Sequence, residues 1–266
     1  MNATSSHLQQ LLASLPQPVL VQHLERMRQD FVANVSHELR TPLTVIQGYL
    51  ECLLDTASAS QEEQAIYQHM QQQALHMGVL VEDLLLLSRL EDHYTPVHDH
   101  KQIDVPKLLN ILIQEAHYLS GANQHRITHR ICRQLFLKGI EGEIRSLFSN
   151  LIFNAVKYTP EKGQIKIAWY PTQQGACFKV EDNGIGIAEK HIPRLTERFY
   201  RVDKARSRSS GGTGLGLAIA KHVLIRHDAQ LKIKSQLKKG SCFQCIFPEK
   251  RIRLKKTLCK KTGKSY

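Results

Sequence analysis

The stretch FVANVSHELRTPLTV, residues 31–45, carries a histidine and a glutamate within a helical pattern of apolar residues. The apolar positions recur every three to four residues and define one helix face, formed by Phe31, Val35, Leu39, Pro42, Ile46, Tyr49 and Leu53. His37 follows Val35 by two residues, which is roughly 200° of helical rotation, so its ring is predicted to point away from that face. We therefore favour an exposed histidine that is available for chemistry over a buried core histidine.

Two glycine-rich stretches could approach a phosphorylated ligand through backbone amides. In EDNGIGI, Asp182 ends a predicted strand and is followed by Gly184 and Gly186. In GGTGLGLAIAK, glycines precede or open a predicted helix at Gly211, Gly212, Gly214 and Gly216. Glycine allows close backbone approach, and a helix N-terminus offers unpaired N–H groups to phosphate. Either stretch alone is more often an ordinary turn.

The helical stretch NLIFNAVKYTP supplies matching side chains. Asn150 and Asn154 lie one turn apart on the same face, and Lys157 follows three residues later. Amide oxygens suit Mg²⁺, and a lysine can meet phosphate charge. Together the three stretches indicate a nucleotide site. It differs from a G-x-x-x-x-G-K-[ST] loop and from eukaryotic protein-kinase motifs, which this sequence lacks.

The formal net charge of +12 is concentrated at the C-terminus, where residues 249–266 carry eight Lys or Arg and one Glu. Such a tail is more often solvated than a binding site, and the basic residues lack the interleaved aromatics of a strand-binding groove. Nucleic-acid binding is therefore not expected. Cys242 and Cys245 form a lone C-x-x-C in a strand-like stretch, which indicates structural thiols. The histidines of the Pro-containing stretch EDHYTPVHDHKQ are predicted to lie in a solvated linker.

Two helical patterns, residues 19–55 and 62–90, predict an antiparallel hairpin. Because one hairpin cannot bury both of its apolar faces, we expect a dimeric four-helix bundle. Six strand-like and three helical stretches then predict an α+β sandwich. The predicted divisions are an N-terminal segment (1–18), the hairpin (19–92), a linker (93–102), the sandwich domain (103–248) and a basic tail (249–266).

No apolar run reaches the ~18 residues of a membrane span, and the N-terminus MNATSSHLQQ lacks a signal-peptide pattern. The chain as given is therefore expected to be cytoplasmic.

The motifs resemble, in the family's own order, those of the sensor histidine protein kinases of two-component systems. Residues 31–45 resemble the H-box, NLIFNAVKYTP the N-box, EDNGIGI and GGTGLGLAIAK the two glycine boxes, and ERFYR the F-box. The longer stretches LERMRQDFVANVSHELRTPLTVIQGYLE and HIPRLTERFYRVDKARSR resemble more narrowly the phosphate-regulon branch of the family. The resemblance implies a dimerisation and histidine-phosphotransfer hairpin followed by a GHKL-type α/β sandwich that binds ATP and Mg²⁺.

For the hairpin, the resemblance implies that His37 is the phosphoacceptor and that Glu38 is the base that holds its other ring N–H. Arg40 and Thr41 lie one helical turn beyond the histidine. Thr41 implies a second activity, in which the protein dephosphorylates its partner.

For the sandwich, the resemblance assigns Asp182 to the adenine amino group and Asn154 to Mg²⁺. Asn150 is expected near metal and phosphates, Lys157 near phosphates and Tyr158 around the base. The remaining expected ATP contacts are Gly184, Gly186, Arg201, Gly212, Thr213, Gly214, Leu215 and Gly216, and residues 199–213 would form a lid with Gly211 and Gly212 as its hinge.

ATP-hydrolysing relatives of the fold, such as DNA gyrase, carry a glutamate four residues before the magnesium asparagine. In this sequence that position is Asn150. Without that base, ATP is expected to wait for the phosphoacceptor histidine rather than to be hydrolysed.

These implications predict a homodimeric protein-histidine kinase that autophosphorylates His37 and phosphorylates an aspartate of a response regulator with a PhoB-like receiver domain. A catalytically idle, nucleotide-binding dimeric scaffold is the alternative, and nucleic-acid binding through the tail is a third hypothesis. Transfer within one subunit and across the dimer both stay open, because they depend on how the turn at 55–61 crosses. Proteins of the phosphate-regulon branch normally carry an anchor in the inner membrane, so the chain is expected to be either a cytoplasmic fragment or a truncated gene product. We favour the fragment, whose membrane contact would come only through segments outside this sequence.

Overall fold

The computed structural model describes residues 35, 38–54, 60–91, 100–202 and 212–254. The chain divides into two compact units, residues 1–95 and 96–266. Among the helices of the described residues, none has both the length and the hydropathy needed to cross a bilayer.

The first unit is a helical hairpin of α1 (residues 38–54) and α2 (Gln61–Glu91). Leu43 of α1 packs with Val81 and Leu85 of α2 in one buried cluster, so the start of α1 lies beside the end of α2 and the helices are antiparallel. Ser60 begins α2 with a capping box, because its hydroxyl accepts the Glu63 N–H (3.3 Å) and the Glu63 carboxylate accepts the Ser60 N–H (2.8 Å).

The apolar face predicted from the sequence is not the face that α2 covers. Leu43 and Leu50 make the buried side of α1, whereas the predicted positions of α1 are exposed: Leu39, Pro42, Ile46, Tyr49 and Leu53. An amphipathic helix in a two-helix hairpin has one flank against its partner and one flank uncovered. The uncovered apolar flank is the surface that a second hairpin would need.

The second unit is an α/β sandwich. Its helices are α3 (Val105–Ser120), α4 (Glu141–Tyr158) and α5 (Gly216–Arg226). Five strands form its larger sheet: β2 (Arg126–Ile131), β4 (Gln164–Thr172), β5 (Gly175–Asp182), β6 (Gln230–Gln236) and β7 (Gly240–Pro248). Their order across the sheet is β2-β4-β5-β7-β6, and only the β2–β4 pair is parallel.

A smaller antiparallel sheet pairs β1 (Lys101–Ile103) and β8 (Ile252–Leu254) with the two sides of β3 (Leu135–Gly139). The sequence did not predict β1 or β8, because three residues are too few to show an alternating pattern. β8 follows residue 248, where the sandwich domain was predicted to end. Short 3₁₀ helices lie at Gly121–Asn123, Glu189–Arg194 and Glu249–Arg251.

The core of this unit lies between α4 and the five-stranded sheet. The Phe148 ring stacks on Phe178 with centroids 3.9 Å apart, and Phe247 meets both Phe148 and Trp169 edge-on. The Trp169 indole N–H donates to the Leu135 carbonyl oxygen at 3.0 Å, which joins the large sheet to the small one. This aromatic core holds α4 in place, and α4 carries four of the predicted ligand-binding side chains, those of Asn150, Asn154, Lys157 and Tyr158.

Candidate nucleotide-binding site

Asp182 ends β5 on the side of the sheet that the helices cover, since it shares its face with the fully buried Phe178 and Val180. Its Oδ1 accepts backbone N–H groups from Gly184 (2.8 Å) and Ser241 (3.2 Å). Burial raises the pKa of this carboxyl group, and the two N–H donors oppose that shift. Within the described residues Oδ2 receives no hydrogen bond, so it is available to a ligand N–H group.

The loop after Asp182 lies directly against the C-terminal end of α4. The Ile185 N–H donates to the Tyr158 carbonyl oxygen at 3.1 Å, and a Cβ on Gly184 would come within 2.4 Å of the same oxygen. Gly186 has φ +65°, and a Cβ there would lie 1.9 Å from the Gln236 carbonyl oxygen. Both positions need glycine, so the first glycine stretch places Asp182 beside α4.

Three side chains of α4, Asn150, Asn154 and Lys157, are half-buried. The Asn150 amide donates from Nδ2 to the Ser146 carbonyl oxygen at 2.9 Å. In the described part of the chain, the Asn154 amide has no hydrogen-bond partner. Asn150 is therefore held by its own helix, and Asn154 has an amide oxygen free to bind a ligand or a cation.

The second glycine stretch packs on the same helix. A Cβ at Gly216, the first residue of α5, would lie 2.1 Å from Asn150 Oδ1. Just before it, Leu215 is fully buried and its N–H donates to the Thr213 hydroxyl at 3.2 Å. The N-terminus of α5 consequently lies next to α4, where its unpaired N–H groups can meet a phosphate.

Two cations come together at Gly212. A Cβ on this glycine would lie 2.4 Å from Lys157 Nζ and 3.9 Å from Arg201 Nη2. Burial lowers the pKa of the Lys157 ammonium, and the Arg201 charge lowers it further. Protonated Lys157 therefore needs a compensating anion, which a phosphate chain would supply. Its Nζ also lies 5.4 Å from the centroid of the Tyr158 ring, whose hydroxyl pKa burial raises.

The ends of the predicted lid are held together. The Phe199 N–H donates to the Gly214 carbonyl oxygen at 3.0 Å, and both residues have positive φ, +59° and +74°. The His191 ring nitrogen Nδ1 and the Tyr200 hydroxyl are 2.6 Å apart, which anchors the first residues of the predicted lid to the 3₁₀ helix before it. Residues 203–211, including Gly211, lie outside the described residues.

The hairpin presents the remaining predicted residues. His37 lies outside the described residues, whereas Glu38 and Thr41 are exposed on α1. Arg40 donates to Glu82 Oε1 of α2 from both Nε (2.9 Å) and Nη2 (2.5 Å). Sequence reasoning missed Glu82, which lies 42 residues from its partner and belongs to no motif.

Sequence reasoning also missed Ser241 and Ser235, which support Asp182 from neighbouring strands. Ser241 donates to the Asp182 carboxylate, and its hydroxyl lies 2.9 Å from that of Ser235. The strand pattern contains no signal for them, because their position depends on the pairing of β5 with β7. The predicted residues that the structure brings together around α4 are Asn150, Asn154, Lys157, Tyr158, Asp182, Gly184, Arg201, Gly212 and Gly216.

Two family models match the chain. Residues 27–93 match the His Kinase A (phospho-acceptor) domain, and residues 139–251 match the histidine kinase-, DNA gyrase B-, and HSP90-like ATPase family. The second match indicates that the sandwich binds ATP.

Curated relatives agree with both matches. The chain is 56% identical over 228 residues to the phosphate regulon sensor protein PhoR of Pseudomonas aeruginosa, covering 85% of this chain and 51% of the relative. It is 42% identical to PhoR of Haemophilus influenzae, covering 86% of this chain and 53% of the relative. The chain thus spans about half the length of these two relatives.

Solved structures show the same fold. Full-length ShkA in complex with AMPPNP matches with a TM-score of 0.70 at 25% identity, over 82% of this chain and 45% of that chain. The Acinetobacter baumannii histidine kinase AdeS matches with a TM-score of 0.59 at 23% identity, over 80% of this chain and 98% of that chain. The chain therefore belongs to the sensor histidine kinases and is PhoR-like in sequence.

Proposed function

We propose that this protein is an ATP-dependent protein-histidine kinase that phosphorylates His37 and passes the phosphoryl group to an aspartate of a response regulator. The observation that carries the proposal is the convergence of Asp182, the polar face of α4 and both glycine stretches on one site. The chain joins this site to a region that matches a phospho-acceptor domain. The similarity to PhoR proteins supports a phosphate-regulon response regulator, with a PhoB-like receiver domain, as the partner that accepts the phosphoryl group.

The residues present fit ATP and Mg²⁺. Asp182 Oδ2 would accept the adenine amino group, and Tyr158 would lie beside the base. Asn154 would hold Mg²⁺ through its unpaired amide oxygen, with Asn150 nearby, and the ion would supply charge neutralisation along the phosphates. Lys157, Arg201 and the backbone of residues 212–216 would bind the phosphates.

Chemistry at His37 requires a neutral ring nitrogen with a free lone pair. That nitrogen attacks the γ-phosphorus, the bond to the bridging oxygen breaks, and ADP leaves with the electron pair. Glu38 keeps the proton on the other ring nitrogen and so sets the tautomer. Asn150 cannot remove a proton from water, so the site is expected to hold ATP for the histidine.

The hairpin supports a homodimer and a second activity. The exposed apolar flank of α1 would be buried against a second copy, forming a four-helix bundle. Thr41 is exposed one turn beyond His37, where it could orient water for dephosphorylation of the regulator. We also propose functional domains at 19–92 and 103–248, in the cytoplasm, with membrane anchoring through other parts of a longer PhoR-like protein.

The proposal is tested by incubating the purified chain with Mg²⁺ and γ-labelled ATP. We expect an acid-labile, alkali-stable label that is absent in His37→Gln and retained in His69→Gln, a control at an exposed α2 histidine. Asn154→Ala should lose the label and keep its thermal unfolding transition. If the wild type binds ATP and takes no label, the idle-scaffold alternative is correct.

A further inference from the structure

The two units of the chain differ sharply in charge. Residues 1–95 carry 4 Lys or Arg against 11 Asp or Glu, whereas residues 96–266 carry 32 against 13. The formal charges are therefore −7 and +19, which together give the net +12 of the chain. The basic tail alone does not account for the positive unit, since residues 249–266 supply only +7.

Part of the remaining charge is concentrated on one surface, the side of the five-stranded sheet that the helices leave uncovered. Strand register and the alternation of burial put the side chains of this open sheet face on one side. Its charged residues are Arg126, Arg130, Lys166, Lys179, Glu181, Lys232 and Lys234. Six cations and one anion therefore share the face.

The cations form a regular array. Arg130, Lys179 and Lys232 lie in one row across the sheet. Arg130 and Lys179 pair with the same residue of β4, and Lys179 and Lys232 pair with the same residue of β7. Strands are about 4.8 Å apart, so neighbouring charges of this row are separated by about 10 Å. The next row contains Lys166 and Lys234 with Glu181 between them.

Glu181 cancels little of this charge. Its carboxylate is shared by Lys179 (2.5 Å) and Lys166 (3.5 Å), so one anion meets two cations. Arg126, Arg130, Lys232 and Lys234 are exposed and make no ion pair within the described residues. Like charges held this close repel, which favours binding of an anionic surface.

The chemistry of the face selects the kind of partner. A stable protein interface needs buried aromatic or apolar anchors, and the candidates here, Tyr170 and Ile246, are half-buried between charged rows. A single-stranded nucleic-acid groove uses exposed aromatic rings for stacking, whereas Tyr170, the aromatic residue of these strands on this face, is half-buried. A layer of anionic lipid headgroups needs only a broad array of cations.

We propose that the open sheet face binds the surface of an anionic phospholipid membrane. Asp182 and the nucleotide-binding residues lie on the opposite, helix-covered side, so this contact would leave them accessible. This inference changes the expectation that membrane contact comes only from segments outside the sequence. It does not depend on the proposed kinase activity.

The test is sedimentation of the full chain with vesicles of phosphatidylcholine alone or mixed with phosphatidylglycerol. Binding should require phosphatidylglycerol and weaken at high salt. Each Lys or Arg near an anionic surface strengthens binding roughly fivefold, so the Arg130→Gln, Lys232→Gln, Lys234→Gln triple variant should bind about 100-fold more weakly. Glu181→Gln should bind more tightly.

The matched control removes three exposed lysines away from this face, in the Lys107→Gln, Lys190→Gln, Lys221→Gln variant. It should keep most of the vesicle binding, and unchanged ATP binding by each variant would show an intact sandwich. The proposal is overturned if the face variant binds as well as the control. It is equally overturned if wild-type chain ignores phosphatidylglycerol or prefers duplex DNA at the same salt.

Discussion

At the residue scale, the proposed adenine contact depends on the carboxylate of Asp182, which has one oxygen held by the backbone and one oxygen open to a ligand. Two backbone N–H groups hold Asp182 Oδ1 in place, and Oδ2 remains available for a ligand. Burial makes the ionised form costly, as the raised pKa shows. A ligand amine that donates to this carboxylate would recover part of that cost.

Asp182→Asn should weaken ATP binding by roughly 10- to 100-fold, because a hydrogen bond to a charged acceptor contributes about 1.5–3 kcal/mol. The fold should persist, since the amide oxygen can still accept both backbone N–H groups. Calorimetric titration with ATP measures the effect. Glu181→Gln, its neighbour on the open sheet face, is the control, and equal affinities in both variants would contradict the assigned role.

A residue with a large pKa shift lies outside the nucleotide site. His227 is fully buried at the end of α5, and burial lowers its pKa to about 4. Its Nδ1 donates to the Val223 carbonyl oxygen (2.8 Å) and its Nε2 accepts the Ile140 N–H (3.2 Å). The groups around it are Glu143, Arg226, Arg251 and the His100 ring. His100 was predicted to lie in a solvated linker, but the structure has it half-buried.

The free energy of unfolding should fall by about 2 kcal/mol between pH 7 and pH 5 because of His227. Its folded-state pKa lies below the unfolded value near 6.5, so the unfolded chain binds the proton first and acid favours unfolding. Urea unfolding at both pH values measures this change. The His227→Gln variant should be less stable at pH 7 and should lose that part of the pH dependence of stability. The control variant His129→Gln, which replaces an exposed histidine, should show neither change.

At the element scale, the candidate site is formed by two helices and the end of a strand, which pack in close contact with one another. The N-terminus of α5 contacts α4 at Asn150, and the loop after β5 contacts the C-terminal end of α4. Glycine is required at these contacts because a Cβ would overlap backbone or amide atoms. Small changes in helix packing should therefore affect the ligand directly.

Gly216→Ala should slow labelling of His37 by roughly 10- to 100-fold, because the added Cβ would displace Asn150, and misplacement by about 1 Å has effects of this size. Gly142→Ala is the matched control, since nothing lies within 4 Å of a Cβ there. That control should label normally and gain up to about 1 kcal/mol of stability. Normal labelling of Gly216→Ala would disprove the packing argument.

At the scale of the whole molecule, one chain leaves surfaces that only assembly can cover. Exposed apolar side chains occur on both helices of the hairpin, including Ile46 and Tyr49 of α1 and Ile66 and Val79 of α2. Such a patch on a water-facing helix pair indicates a protein contact. The cations of the open sheet face support the further contact proposed above, an electrostatic one with an anionic membrane surface.

Ile46→Glu should dissociate the dimer, because it would bury a charge in the four-helix bundle. We expect at least a 100-fold weaker dimer, seen as the monomer mass in light scattering after gel filtration. Thr44→Glu adds the same charge on the opposite side of α1 and should leave the dimer intact. A dimer that survives Ile46→Glu would show that another face mediates assembly.

The sequence by itself determined the longer elements of secondary structure and the family to which the chain belongs. Periodicity at two or three to four residues predicted the α-helices of the described residues and the strands of the large sheet, because these patterns come from neighbours along one element. The same local reasoning predicted Asn154, Lys157 and the glycines as contacts of a phosphorylated ligand, the family resemblance added Asp182 as the adenine contact, and these roles stay predictions. The uncovered flank of α1 was also visible as an apolar stripe.

Only the tertiary structure decided which distant residues meet. The support of Asp182 by Ser241, the Arg40–Glu82 pair and the approach of Gly212 to Lys157 link residues 42 to 59 positions apart in the chain. The open sheet face likewise collects cations from four strands that are scattered in sequence. These contacts depend on strand order, register and helix docking, which are set by packing of the whole core and leave no periodic signal in any single segment.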